Sequence, residues 1–187
     1  MTDSTVDTSP DTVPTVLFLC TGNAARSVMA ASMLRAKTSA VHITSAGTHS
    51  IPGLPMSTRT RTALADFDVV DNEHLSAQLE QSMVDQAAVI AIFEPMHLSY
   101  MRKKHAEAVH KVASLPRLAQ ALAPGPTATL QDRICDLLLD DHVFEPWEEV
   151  IDPAGGDLAV FQDSAAEIHD LIGAFCTKID PDAHACA

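Results

Sequence analysis

The sequence predicts an α/β fold in which a parallel sheet is covered on both faces by helices, a three-layer sandwich. Three observations predict it. Short continuous apolar runs, Val16-Leu17-Phe18-Leu19 and Ala88-Val89-Ile90-Ala91-Ile92-Phe93, suit strands buried on both sides. These runs alternate with helical segments, as parallel strands joined by crossovers require. The first run ends in a loop with Gly22 and Asn23 that leads directly into a segment rich in Ala and Met.

The elements come in order along the chain. Residues 1–13 are polar, acidic and poor in large apolar groups, and are expected to form a disordered tail. After the strand at 16–19 comes a helix from Ser27 to Lys37. Val41-His42-Ile43-Thr44 alternates like a second strand, stopped by Ser45-Ala46-Gly47-Thr48. A loop with Pro52, Gly53 and Pro55 leads to a helix around 57–66, and a shorter helix is expected near 76–86. The buried run 88–93 is the third strand, ended by Glu94-Pro95; 96–106 reads as a helix and Lys111-Val112-Ala113-Ser114-Leu115 as a weaker fourth strand. The stretch 116–142 holds two helical pieces around the breaker Pro124-Gly125-Pro126, and Ile151-Asp152-Pro153-Ala154-Gly155-Gly156 is a loop by its turn residues. A closing amphipathic helix spans about 158–176, with Phe161, Ile168, Leu171, Ile172 and Phe175 at core spacing. The expected organisation is one domain at 14–177 and a flexible C-terminal tail at 178–187.

A length of 187 residues fits a single domain. A net charge of −13 argues against nucleic acid as a partner, since no basic stripe is present to neutralise phosphates. The cluster Arg102-Lys103-Lys104-His105 reads as a solvated helix end. No apolar run reaches the roughly 18–20 residues that span a bilayer, and the acidic N-terminus does not resemble a signal peptide, so no membrane partner and a cytoplasmic location are expected. Cys20, Cys135, Cys176 and Cys186 show neither C-x-x-C pairing nor metal-ligand spacing; they read as free thiols, with no metal site.

Cys20 differs from the other three by its position. It ends a buried strand, and a short loop carries the chain from it into a helix. Amide N–H groups at a helix start lack intrahelical partners, and the helix dipole favours negative charge there, so an oxyanion such as phosphate binds well. The same field favours thiolate over thiol, which gives Cys20 the position of a nucleophile. Arg26 is close enough to fold back over the loop, and its planar guanidinium can hold two phosphate oxygens. Gly22 lets the backbone approach an anion, Asn23 can adopt a left-handed conformation and tie the loop, and Ser27 can donate its hydroxyl to the thiolate. Thr21, Gly22, Asn23, Ala24 and Ala25 would line the phosphate with their backbone.

The run Val16 to Ala30, with Cys20-Thr21-Gly22-Asn23-Ala24-Ala25-Arg26-Ser27 at its centre, resembles the signature of the low-molecular-weight protein tyrosine phosphatase family. Ser45-Ala46-Gly47-Thr48 resembles that family's second-strand motif, whose serine supports the loop asparagine. Ala87 to Glu94 resembles its third strand and acidic turn, and Asp152-Pro153 with Gly155-Gly156 and Phe161 resembles the loop of its general acid. The similarity spans about 15–176 and is weak over 116–150. It implies a four-stranded parallel sheet, a phosphate loop between the first strand and first helix, no metal or other cofactor, a phosphocysteine intermediate on Cys20, and Asp152 as acid and then base. The implied substrate is a phosphorylated protein, above all phosphotyrosine, or a small phosphoester. Without the resemblance, Asp152 reads as a turn former before Pro153. Asp157 competes with it, since Asp132 to Asp157 holds nine acidic residues and a single Arg.

The sequence departs from the family where an aromatic would wall the site. Ala154 comes directly after Asp152-Pro153, and His49-Ser50-Ile51-Pro52-Gly53 is a shortened segment without an aromatic; His49 and Ile51 are candidates for that wall. Tyrosine specificity therefore does not follow from the motifs. The alternative activity is arsenate reduction on the same scaffold with an external small thiol, because 76–106 contains no cysteine to resolve an adduct. A third alternative, phosphate binding without turnover, would fit the loss of Cys, Arg or the acid, and all three are present.

Overall fold

A computed structural model describes residues 13–125 and 128–180; most of both expected tails, together with Pro126, Thr127 and Cys186, lies outside these residues. Four strands, β1 (Thr15–Cys20), β2 (His42–Gly47), β3 (Ala87–Ile92) and β4 (Val112–Ser114), form one parallel sheet in the order β2-β1-β3-β4. The helices are α1 (Arg26–Lys37), α2 (Thr58–Ala65), α3 (Gln81–Gln86), α4 (Pro95–Lys104), α5 (Leu115–Ala121), α6 (Leu130–Cys135) and α7 (Leu158–Ile179). Two 3-10 turns, Ala106–Lys111 and Pro146–Glu148, complete the described elements.

The period-2 alternation of a strand explains the layers. Val16, Phe18 and Cys20 point into one core with α1, α5 and α7, whereas Leu17 and Leu19 point into the opposite core with α3 and α4. Both sides are apolar because both faces are covered, which is why β1 reads as an unbroken hydrophobic run. The chain leaves β1 for β2 on one side and later returns to β3 on the other. The carboxyl end of β1 is thus the place where the strand order reverses and a crevice opens. Among the described residues no helix is long and apolar enough to cross a membrane.

Two expectations need correction. Ser45, Ala46 and Gly47 do not stop the second strand: β2 runs through them, with Ser45 in register with Phe18 and Gly47 with Cys20. The segment 76–80 is not helical but extended, and forms a parallel bridge from Gln78 to Gly47. The Gly47 N–H donates to the Ala77 carbonyl at 2.8 Å and the Leu79 N–H to the Gly47 carbonyl at 2.9 Å. Neither pairing is visible locally, because each segment finds its partner far away in the chain. The closing helix, expected over about 158–176, spans Leu158–Ile179.

Candidate active site

The eight residues from Cys20 to Ser27 wrap the end of β1 into the start of α1. Ala25 is the N-cap of α1, makes no side-chain cap bond, and no acidic residue occupies the first turn. This helix start is therefore open to an anion. Cys20 is 3% exposed, and its sulfur accepts the Asn23 backbone N–H at 3.2 Å. It also lies 2.9 Å from Ser27 Oγ. That hydroxyl accepts a bond from Asn23 Nδ2 at 2.9 Å, which leaves its own hydrogen for the sulfur.

Asn23 is the tie of the loop. It takes the left-handed backbone conformation, φ 50°, whereas Gly22 does not. Asn tolerates that region because its short amide bonds locally. The amide is used on both sides: Nδ2 also donates to Ser45 Oγ at 3.0 Å, and Oδ1 accepts the Ala77 N–H at 2.8 Å. His74 Nε2 donates to the Asn23 carbonyl at 3.0 Å, and Thr60 Oγ1 to the Ala24 carbonyl at 2.8 Å. Gly22 is exposed, and a Cβ there would meet nothing within 4 Å, so its value is room above the loop rather than a special φ. Gly47 is the glycine that cannot change. A Cβ on it would lie 2.6 Å from the Thr21 carbonyl oxygen and 3.1 Å from the Asn23 nitrogen, close enough to push the loop away.

Arg26, at 1% exposure, reaches across to two later segments. Its NH2 lies 2.7 Å from Glu94 Oε1 and 2.8 Å from Asp152 Oδ2, and its NH1 donates to the Val150 carbonyl at 3.1 Å. The Glu94 side chain is 15% exposed and that of Asp152 38% exposed, so the two carboxylates bracket the guanidinium from inside and from the solvent side. Asp152 Oδ1 also accepts the Ala154 N–H at 3.1 Å, the turn expected before Pro153. Its competitor Asp157 is engaged elsewhere, as the N-cap of α7 accepting the Val160 N–H at 3.2 Å.

His97, fully buried at the start of α4, completes this cluster. The Phe93 N–H donates to its Nδ1 at 3.4 Å, so Nε2 carries the hydrogen and faces Glu94 Oε1 at 3.0 Å and Thr21 Oγ1 at 3.2 Å. Thr21 Oγ1 donates to the same Glu94 oxygen at 3.3 Å. The bond from His97 is the largest cause holding Glu94 down, from 4.5 to about 2, and the Arg26 guanidinium adds to it against the opposing effect of burial. Burial in turn lowers the His97 pKa from its ordinary 6.5 despite the neighbouring Glu94, so at neutral pH the pair is a hydrogen bond from a neutral imidazole.

A cavity of about 1020 Å³ opens between α1, β2 and the 68–75 loop and reaches Ser45 and His74, which brace Asn23; Cys20, Arg26 and Asp152 are not among its lining residues. Among the described residues no group of three or more His, Cys, Asp or Glu side chains is arranged to hold a metal ion.

The pattern of low molecular weight phosphotyrosine protein phosphatases matches residues 15–124, from the first residue of β1 to just past α5. The chain belongs to that family. Its members are cysteine-dependent hydrolases, and this chain is a phosphatase of the family. It is similar to the probable low molecular weight protein-tyrosine-phosphatase EpsP of Ralstonia nicotianae, 28% identical over 108 residues that cover 58% of this chain and 74% of that protein. It is also similar to the protein-arginine-phosphatase of Geobacillus stearothermophilus, 24% identical over 168 residues that cover 89% and 97%. Two solved structures share the fold. The YwlE arginine phosphatase from Geobacillus stearothermophilus has a TM-score of 0.73 at 23% identity, covering 93% of this chain and 97% of that one. The low molecular weight protein tyrosine phosphatase from T. tengcongensis has a TM-score of 0.71 at 23% identity, covering 88% and 99%.

Every residue singled out from the sequence as catalytic, phosphate-lining or supporting sits in one cluster at the carboxyl end of β1: Cys20 to Ser27 by chain continuity, Ser45 through Asn23, and Asp152 through Arg26. Asp152 lies beyond the stretch that the family pattern matches. His74, Glu94, His97, Thr60 and the Val150 carbonyl join the cluster without having been assigned from the sequence. Glu94 and His97 stand at i and i+3 at the start of a helix directly after a buried strand, and that spacing is the one signal that could have drawn attention to them.

The buried imidazole gives a signed expectation for pH. As the pH falls below 6.5 the unfolded chain takes up the histidine proton before folded His97 does, so stability falls on acidification. Glu94 acts in the same direction at lower pH: its contribution is full above 4.5 and is lost as the pH falls toward about 2. Thermal unfolding as a function of pH is expected to show a decline beginning near 6.5, and His97→Gln is expected to flatten that first part. An unchanged slope in the variant would show that other groups set it.

Proposed function

We propose that the chain hydrolyses phosphomonoesters through a phosphocysteine intermediate on Cys20. The observation that carries this is the bonding of the Cys20 sulfur. It is held by the Asn23 N–H at 3.2 Å and Ser27 Oγ at 2.9 Å at the open start of α1, and the Arg26 guanidinium is rooted on Glu94, Asp152 and the Val150 carbonyl. A thiolate there attacks phosphorus: an S–P bond forms, the ester P–O bond breaks, and the leaving oxygen takes the proton of the Asp152 carboxyl. Water then attacks the phosphocysteine and gives a proton to the Asp152 carboxylate; the S–P bond breaks and inorganic phosphate leaves. Ser27 stabilises the thiolate as it departs.

Arg26 and Asp152 are coupled in this scheme. A phosphate dianion competes with Asp152 for the guanidinium, and Asp152, the more exposed of its two carboxylate partners, is the one free to give way. Glu94 keeps Arg26 anchored meanwhile.

The substrate is a phosphorylated protein side chain or a small phosphoester. By their names, the relatives act on phosphotyrosine or phosphoarginine. Ala154 provides no aromatic wall for a phenol. A phosphoarginine substrate would follow the same two steps with a P–N bond breaking in place of the ester P–O bond, the leaving guanidine nitrogen taking the Asp152 proton. A cytoplasmic site of action belongs to the same proposal, supported by the absence of a disulfide among the described residues, where Cys20, Cys135 and Cys176 are free thiols.

The test uses one sample and four substrates: phosphotyrosine peptide, phosphoarginine peptide, a small alkyl phosphate, and arsenate with added thiol. Phosphate release without added metal, with a phosphoryl group trapped on the Cys20 peptide after acid quench, is expected. Arsenate reduction without phosphate release, or turnover with the phosphoryl group on another residue, would overturn the proposal.

A further inference from the structure

A second buried charge cluster lies behind the acid loop. Glu148 is fully buried, and donors surround its carboxylate. Ser114 Oγ donates to Oε2 at 2.6 Å, Arg117 donates through Nε to Oε2 at 3.0 Å and through NH2 to Oε1 at 2.8 Å, and the Glu145 N–H reaches Oε1 at 3.2 Å. His142 Nε2 stands 2.9 Å from Oε1. Arg117 also lies over the Trp147 ring, 5.3 Å from its centroid, and Trp147 Nε1 donates to Glu145 Oε2 at 3.1 Å. Ser114 serves twice, since its hydroxyl also caps α5 by accepting the Arg117 N–H at 3.1 Å. A buried carboxylate is tolerated only when its lone pairs are all engaged, and this set of fixed donors leaves it one position.

That position matters because the chain just beyond it enters the site. Two residues on, the Val150 N–H donates to the Phe93 carbonyl at 2.8 Å, and the Val150 carbonyl accepts Arg26 NH1 at 3.1 Å. Two residues further, Asp152 meets Arg26 NH2 at 2.8 Å. The backbone from 148 to 152 thus runs from a locked carboxylate directly to both the root of the phosphate-holding arginine and the acid.

We propose that Glu148 is a positioning residue for phosphate transfer, which sets Asp152 against the leaving group and the Val150 carbonyl against Arg26. This role rests on the assignment of Asp152 as general acid. Glu148 touches neither substrate nor sulfur; it acts through the backbone that leads from it to Asp152. Replacing the carboxylate by an amide removes the charge paired with Arg117 and turns one of the two acceptors into a donor that faces other donors, which loosens the 142–150 segment from the junction of β4 and α5.

The experiment compares leaving groups, because a displaced acid harms poor leaving groups selectively while a smaller folded fraction harms all of them equally. In Glu148→Gln, kcat/KM, which reports the step that expels the leaving group, is expected to fall about 10- to 100-fold for an alkyl or phenyl phosphate, the scale of a misplacement near 1 Å. For 2,4-dinitrophenyl phosphate, whose leaving group needs no proton, a loss below about threefold is expected. Trp147 is the single tryptophan of the chain, so acrylamide quenching of its emission reports the same segment and is expected to increase. Glu148→Asp, which keeps the charge, should recover part of the loss; His142→Ala should show the same selectivity on a smaller scale even if Glu148→Gln does not fold. Asp152→Asn, measured in the same series, sets the scale. If it shows no leaving-group dependence, the acid assignment and the positioning role both fall. If it does and the Glu148 and His142 variants lose rate equally on all esters, or not at all, the positioning role alone is overturned.

Discussion

Cys20→Ser is expected to lower phosphomonoester hydrolysis by on the order of 10⁴-fold or more, the scale seen when a covalent nucleophile is removed, while oxyanion binding is kept. The substitution is small in geometry and large in chemistry. A serine oxygen can accept the Asn23 N–H and face Ser27 Oγ as the sulfur does, and Arg26, Asn23 and the start of α1 are untouched. What is lost is the more readily ionised nucleophile that the proposed mechanism needs, because an alcohol holds its proton far more tightly than a thiol. Vanadate or phosphate binding measured on the variant checks the first half, and p-nitrophenyl phosphate turnover the second. Full turnover in the variant would remove Cys20 from the mechanism. Loss of anion binding together with turnover would instead mean that the sulfur holds the loop in shape.

Asp152→Asn is expected to be the second-largest effect, roughly 10²- to 10⁴-fold on phenolic and alkyl leaving groups, as is typical when a general acid is removed. The amide keeps one acceptor oxygen, which can still take the Ala154 N–H and hold the turn, while the bond to Arg26 is given up. It cannot give up a proton, so the loss should grow as the leaving group becomes more basic. The variant also removes a negative charge 2.8 Å from the guanidinium that would hold the phosphate. Phosphate and vanadate are therefore expected to bind as tightly or tighter. A uniform loss across leaving groups, or none, would point to another proton donor. Asp157 is poorly placed for that task because its carboxylate caps α7.

Much of the site is legible in the sequence because its central part is continuous in the chain. A buried strand, a cysteine, a short loop and a helix start are local features, and the anion pocket follows from the backbone N–H groups that a helix start leaves free. The resemblance over Val16 to Ala30 strengthens a reading that the residues already allow. Asp152 is reachable only by resemblance, since an aspartate before proline in a glycine-rich loop is ordinarily a turn former. It does form that turn, with Oδ1 on the Ala154 N–H, and it meets Arg26 with the other oxygen.

The two corrections to the fold share one cause. Ser45-Ala46-Gly47 carries turn residues that locally signal a strand end, and 76–80 locally reads as helical. In the fold each satisfies the other: Gly47 bonds to Ala77 and Leu79, and the Ala77 N–H fixes the Asn23 side chain. Hydrogen-bond partners supplied by a distant segment override local preference, and nothing in the residues next to either segment announces them.

By itself the sequence determined the order of strands and helices, the parallel sheet, the nucleophile candidate and the loop that surrounds it, because apolar periodicity and helix-start chemistry act over a few residues. Tertiary structure alone decided which side chains brace that loop. Glu94 and His97 beneath Arg26, His74 and Ser45 on Asn23, and the donors gathered on Glu148 behind the acid loop all meet across segments far apart in the chain. Close contact between them exists only once the two cores have closed on either face of β1 and excluded the water that would otherwise satisfy those groups.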